Sequence, residues 1–276
     1  MRKRSDAAHV LGIGDTHINS TRALAMPTSY WDDGGSYEIS DDQRELWRAW
    51  NDMLEKVSKV KRRDRPFYLI LNGDLVEDNF HPTTQTISHN HNDLIKHAVA
   101  VFEPLCKIAD SVFFIRGTEA HTGLSGELEE RLAGNFDNVV PSRTALSWWH
   151  LRAEFGGAKF DISHHASMGG LPWTEKNAAN KVAAIIRSSY AALGEKEPQV
   201  VLRSHVHRVS DSGINYLPMR AFTLPCWSLF TSYSYRIGAE NRPPDLGALL
   251  FEIEGGVANE PRWIRYTVKR EKVWTE

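Results

Sequence analysis

The sequence predicts an α/β protein. Short apolar runs of strand length are interspersed with longer stretches of helical period. Five of the strand-like runs end in acidic or histidine residues. The clearest is Phe67-Tyr68-Leu69-Ile70-Leu71, bounded by Pro66 and Gly73, which leads into Asn72-Gly73-Asp74-Leu75-Val76-Glu77. Its length and its aromatic and branched side chains suit a buried strand. Asp74 is therefore expected just past the strand's C-terminal end, where open α/β sheets place their ligands. The 276 residues are 41% apolar and 25% charged, the balance of a soluble globular protein with a substantial core. No repeat, low-complexity segment or convincing linker divides the chain, so one domain over residues 1–276 is expected.

The elements follow in order. His9 to Ile13 reads as a first strand, ending in Gly14-Asp15-Thr16-His17. Asn19 to Ser40 has no period and reads as a long loop. Asp41-Asp42 start a helix with Leu46, Trp50, Met53, Leu54 and Val57 on one face. Its basic end, Lys56 to Arg65, reads as a solvated helix terminus favoured by the helix dipole rather than as a nucleic-acid patch. After the Asp74 stretch come His81, His89, His91 and His97, then a helix from about Asn92 to Ala109 and a strand from Ser111 to Ile115. That strand delivers Arg116-Gly117-Thr118-Glu119-Ala120-His121, and a charged helix follows over Ser125 to Leu132. Ala158 to Ile162 is a strand ending in Ser163-His164-His165. Trp173 to Leu193 is an amphipathic helix with Val182, Ile185, Ile186 and Tyr190 inward. Gln199 to Leu202 is a strand ending in Arg203-Ser204-His205-Val206-His207. The stretches Ala221 to Leu224, Leu246 to Ile253 and Arg262 to Val268 read as antiparallel strands. Trp148, Trp149 and the aromatic stretch from Trp227 to Tyr235 are expected to pack in the core rather than to stack a base.

Composition narrows the partners. A net charge of -2 gives no bulk attraction to nucleic acid or an anionic membrane. Cys106 and Cys226 lie far apart among apolar residues and read as reduced core thiols. Met1-Arg2-Lys3-Arg4 is not followed by a signal peptide, because Asp6 and Asp15 interrupt the apolar stretch between them. No run approaches the ~20 apolar residues of a membrane span. A cytoplasmic protein without a membrane partner is the expectation these features leave.

The chemistry lies in the five strand ends: Asp15 and His17, Asp74, Thr118 to His121, His164 and His165, and His205 and His207. Carboxylate oxygen together with imidazole nitrogen suits Mn, Fe or Zn. In an extended chain, residues i and i+2 face the same way, so each of Asp15-x-His17 and His205-x-His207 can reach one side of a site. Any one pair is more economically a cap or a satisfied polar group. Five at successive strand ends favour a metal centre.

In this order the motifs resemble those of the calcineurin-like metallophosphoesterase superfamily: Asp-x-His, Gly-Asp, Gly-Asn-His-(Asp/Glu), His, and Gly-His-x-His. The resemblance spans Asp15 to His207. It implies a four-layer αββα sandwich of two mixed sheets flanked by helices, with a two-metal centre at the strand ends. It also implies that Asp15, His17 and His207 hold one ion, that His164 and His205 hold the other, and that Asp74 bridges them. Two divalent ions are implied, Mn, Fe or Zn with Mn favoured, and phosphodiester hydrolysis by a metal-bound hydroxide. The first of His164 and His165 is the expected ligand, because the family's His directly follows its strand.

Two departures stand out. Ser204 replaces the usual Gly, and Gly117-Thr118-Glu119-Ala120-His121 replaces Gly-Asn-His-(Asp/Glu), a variant similar to predicted phosphoesterases of phages and prophages. Thr118 then takes the place of an Asn ligand, expected to ligate weakly through its hydroxyl or to leave the gap to water, and His121, displaced by two residues, is expected to serve the leaving group. Glu119 reads equally as a carboxylate orienting a ligand His and as an ordinary ion-pair partner. His81 and Asn79 follow Asp74 closely enough to line the site and approach substrate. Two alternatives remain: a DNA or RNA nuclease of the same superfamily, which the basic Lys56 to Arg65 stretch supports, and a non-catalytic binding scaffold, which Thr118 supports.

Overall fold

The computed structural model describes residues 6–61, 64–78, 82–166, 174, 177–236 and 243–267. The first sheet contains β1 (Ala7–Ile13), β4 (Phe67–Asn72), β5 (Ser111–Ile115), β6 (Ser147–Trp148), β12 (Leu246–Glu254), β13 (Val257–Ala258) and β14 (Arg262–Tyr266), in the order β13-β12-β1-β4-β5-β6 with β14 also paired to β12. β1, β4, β5 and β6 are parallel, and β12 runs antiparallel to β1. The second sheet has the order β10-β11-β9-β8-β7, from β7 (Leu151–Phe155), β8 (Ala158–Ile162), β9 (Val200–Arg203), β10 (Ser210–Asp211) and β11 (Arg220–Thr223). β8, β9 and β11 are parallel, and the outer strands are antiparallel. Both sheets are therefore mixed.

The strands alternate between two apolar layers, as the two-residue period of a strand requires. Leu11, Ile13, Leu69, Leu71, Val112 and Phe114 pack on one side against α1 (Asp41–Val60), α2 (His91–Ile108) and α4 (Glu127–Ala133). Their neighbours Val10, Ile70, Phe113 and Ile115 face Phe160, Ile162, Val200, Leu202 and Phe222 of the second sheet. Val201 and Ala221 pack on the other side of that sheet, against Ala179, Val182 and Ala183 of α5 (Ala178–Leu193). Three apolar layers between four layers of elements make the expected αββα sandwich.

α1 shows why the sequence folds locally as it does. Ser40 accepts from the Gln43 backbone N–H and Gln43 answers at the Ser40 backbone, a capping box, while Asp41 and Asp42 favour the positive helix end. Leu46, Trp50, Met53 and Val57 then recur at helical spacing and are buried.

Some expectations need correction. β11 lies parallel to β9, not antiparallel. It shares the apolar layer under α5, so its neighbour is set by burial on both faces rather than by a hairpin turn. Residues 19–40 contain a small hairpin, β2 (Thr28–Tyr30) with β3 (Ser36–Glu38). Ile185 points outward and is 62% exposed. Trp149 is also exposed and lies against the Arg116 guanidinium, whereas Trp148 is partly buried between the sheets. Trp227 is fully buried, but Tyr233 and Tyr235 of the short α6 (Ser232–Arg236) are exposed. Cys106 and Cys226 are buried free thiols. Among the described residues, no helix is long and apolar enough to cross a membrane.

Candidate metal centre

The C-terminal ends of β1, β4 and β5 in one sheet and of β8 and β9 in the other open onto the same place. Past their strands, the loops after β1 and β4 keep bonding in parallel. Asp15 N–H donates to Gly73 O, His17 N–H to Asp74 O and Ile18 N–H to Leu75 O, at 2.9, 3.0 and 3.0 Å. Asp15 in turn accepts the His205 backbone N–H at 3.0 and 3.1 Å, which ties the second sheet's loop to the first. Asn72 adds a second tie, donating to Ser204 Oγ at 2.8 Å. Ser204 thus has a role of its own, as the acceptor of this tie.

The backbone at these loops is unusual. Asp15, His17, Asp74, His205 and His207 have φ of 51°, 43°, 49°, 74° and 53°. Non-glycine residues rarely occupy this left-handed region, and such conformations persist where surrounding structure over-determines them, commonly at functional sites. Five among six candidate ligands form a cluster that strand capping alone does not require.

The side chains form two groups whose donor atoms lie within 4.8 Å of one another, Asp15 with His17 and His207, and Asp74 with His164 and His205. His17 Nε2 and His207 Nε2 are 3.0 Å apart, and His207 Nε2 is 3.5 Å from Asp15 Oδ1. His164 Nε2 is 3.0 Å and His205 Nδ1 is 3.9 Å from Asp74 Oδ2. His164 Nε2 also lies 3.9 Å from Asp15 Oδ1, so the two groups adjoin. His164, not His165, enters the group. His165 instead stacks on His205 with ring centroids 4.2 Å apart.

Each of two imidazoles has its other nitrogen fixed. His164 Nδ1 donates to the Asn72 carbonyl at 2.7 Å, and His17 Nδ1 lies 2.6 Å from Glu77 Oε2. Such partners select the tautomer whose free nitrogen faces a metal. His164 Nε2 and His205 Nδ1 are buried atoms without a hydrogen-bond partner. Buried polar atoms are rarely left so, and the donor set and these two nitrogens together fit a divalent cation.

The electrostatics agree. Burial alone would raise Asp15 and Asp74, but the neighbouring imidazoles outweigh it: His207 and His164 lower Asp15, while His164, His205 and His121 hold Asp74 well below its usual range. Burial opposes charge on His164, yet Asp74 and Asp15 raise it to about 9. Burial and His121 lower His17. The pocket therefore carries carboxylates held ionised by the imidazoles around them.

The strand end after β5 gives Thr118 and the short α3 (Glu119–Thr122). Thr118 donates to Asp74 twice over: its backbone N–H to Oδ1 at 2.6 Å and its hydroxyl at 3.0 and 3.1 Å to Oδ1 and Oδ2. Thr118 thus reaches the site through Asp74. His121 Nε2 faces Asp74 Oδ2 at 4.0 Å, and its Nδ1 lies 2.8 Å from Glu77 Oε2. Burial would lower His121, but the Glu77 hydrogen bond and the Asp74 and Glu77 charges raise it. Glu119 is exposed. Asn79 and His81 lie outside the described residues. His91 pairs with Asp78 at 2.7 Å. In the basic stretch, Lys56, Lys59, Lys61 and Arg65 are paired with Asp52, Glu55, Asp110, and Glu252 and Glu254.

Two acids escaped the sequence reading. Glu77 joins His17 and His121 and forms a third group with them; these two histidines hold its carboxyl at about 2 against the effect of burial. Its signal was present, three residues after Asp74 in the same stretch. Glu129 is fully buried on α4, and burial with the Asp74 charge pushes it up to about 8. Nothing in its acidic helix distinguishes it in sequence.

No family model matches the chain, and no curated protein matches it. Among solved structures, it is similar to a conserved Streptococcus pneumoniae protein described as a predicted phosphoesterase (11% identity, 90% of this chain and 84% of that one, TM-score 0.37). It is also similar to a Thermotoga maritima protein (14% identity, 94% and 99%, TM-score 0.37). A third is the Thermus thermophilus sulfate thiohydrolase SoxB (11% identity, 97% of this chain but 58% of that one, TM-score 0.42). At such identities and scores, the reading of the site rests on its own geometry.

Proposed function

We propose that this chain is a metal-dependent phosphoesterase that hydrolyses phosphodiesters. The observation that carries the reading is the convergence of Asp15, His17, Asp74, His164, His205 and His207 at the strand ends of both sheets, in two adjoining groups. Asp15, His17 and His207 would hold one divalent ion, His164 and His205 the other, and Asp74 would serve both. Ions held there neutralise phosphate charge and lower the pKa of water, the two needs of ester hydrolysis.

The protein's own groups supply the rest. Glu77 fixes His17 and His121 in one orientation, since its carboxylate accepts from both Nδ1 atoms. His121 then presents Nε2 toward the site. As water adds at phosphorus and releases a proton to solvent, the bond to the leaving oxygen breaks and that oxygen takes the His121 Nε2 proton. Thr118 steadies the Asp74 carboxylate rather than replacing the Asn ligand of the resembling family.

Turnover of bis-p-nitrophenyl phosphate and p-nitrophenyl phosphate, with Mn²⁺ and with chelator, tests the reading. Metal-dependent turnover, faster on the diester, is expected. No turnover of either ester with Mn²⁺, Zn²⁺ or Fe²⁺ would overturn it.

A further inference from the structure

Glu129 is a buried acid with no part in the chemistry above, and its partners are informative. Oε2 accepts the Gly117 backbone N–H at 2.6 Å, and Oε1 accepts that of Leu75 at 3.4 Å. These amides belong to the loops that follow β5 and β4, the two loops that meet where Thr118 grips Asp74. They meet closely: a Cβ on Gly117 would lie 2.2 Å from both Asp74 N and Asp74 Oδ1.

The plain alternative is a buried acid that merely satisfies two amides. Here, however, the bonds close a ring from Asp74 through Thr118, Gly117, Glu129 and Leu75 back to Asp74. We propose that Glu129 is a positioning residue, a clamp that sets where the Asp74 carboxylate stands between its two ion sites. The proposal rests on the metal-centre reading. It requires acceptor oxygens at this place, because an apolar side chain would leave two buried N–H groups unpaired in the loops that hold Asp74.

The test titrates wild type, Glu129→Gln and Glu129→Ala with Mn²⁺, following affinity, ions per chain and the paramagnetic resonance signature of a coupled ion pair. Circular dichroism of the metal-free proteins reports folding. Glu129→Ala is expected to bind about tenfold to a hundredfold more weakly, the usual cost of losing an outer support of a metal ligand. It should also lose the coupled signature while keeping its secondary structure. Glu129→Gln, which keeps one acceptor oxygen, should fall between. A folded Glu129→Ala with wild-type affinity and coupling would overturn the proposal alone. If that variant does not fold, Glu129→Gln decides: weakened, altered coupling supports the clamp, and wild-type behaviour overturns it. A wild type that binds no Mn²⁺ removes the metal reading itself, and the clamp with it.

Discussion

Replacing Gly73 by Ala should damage the site and the fold together. Gly73 has φ 79°, and an added Cβ would lie 2.4 Å from His164 Nδ1, 2.7 Å from His164 Cγ and 2.9 Å from Gly117 Cα. The left-handed backbone costs an L-residue about 1–2 kcal/mol. Crowding a packed site adds about 1–3 kcal/mol, and displacing His164 forfeits its bond to Asn72 O, about 0.5–1.5 kcal/mol. The sum is about 2.5–6.5 kcal/mol. Gly34 provides the control: its φ is 86°, yet an added Cβ meets nothing within 4 Å. Gly34→Ala should therefore cost only the backbone share, about 1–2 kcal/mol, and leave Mn²⁺ uptake unchanged. The gain from stiffening the unfolded chain applies to both substitutions and cancels in their difference. Urea unfolding of the metal-free proteins gives the stabilities, and Mn²⁺ titration gives the uptake. If Gly73→Ala lost no more stability than Gly34→Ala and bound Mn²⁺ normally, the close approach of Gly73 to His164 would not be what places that imidazole.

Other consequences are separable. His164 must shed a proton to ligate, and its pKa is raised to about 9, so Mn²⁺ affinity should climb as pH rises toward 9 and binding should release protons. Calorimetry in buffers of different ionisation heat would show this, and pH-independent binding would refute it. Asp161, fully buried beside Arg203 at 2.8 Å and His150 at 2.9 Å, has its carboxyl lowered from 3.8 to about 2 by those partners. Its pairing stabilises the fold fully above pH 3.8 and loses about 2 kcal/mol as pH falls through 2. Asp161→Asn should cost about 3–5 kcal/mol near neutral pH, with the deficit shrinking in acid. Unfolding curves across that range would expose the contrary case, a constant difference. His121→Ala should slow an ester with a poor leaving group by about 10²–10⁴-fold and a p-nitrophenyl ester far less. Equal slowing of both would remove His121 from proton donation.

Much of this architecture was legible because strand ends announce themselves. Phe67 to Leu71 is apolar on both faces because β4 lies between helices and a second sheet, and the polar residues that follow mark where that burial stops. The resemblance of the five ends to the superfamily's motifs named Asp15, His17, Asp74, His164, His205 and His207, which the structure groups. What stayed hidden depends on contacts between distant segments. β11 pairs parallel to β9 through burial under α5, which its short alternating sequence does not encode. Ile185 fits a helical face on paper, but the buried stripe of α5 runs through Val182, Ala183 and Tyr190. Glu129 looks like any acid in a charged helix until α4 carries it beneath two site loops. Thr118, which reads as a weak stand-in ligand in one dimension, is in three dimensions a double donor to Asp74.

The most direct test of the metal centre counts the ions. Metal-free wild type and Asp74→Asn would be loaded with Mn²⁺, freed of excess and assayed for metal per chain. The account predicts two tightly held ions in the wild type and at most one in the variant, because on the proposed reading Asp74 would serve both. Absence of tight binding in the wild type, or equal loading of the two proteins, would contradict it.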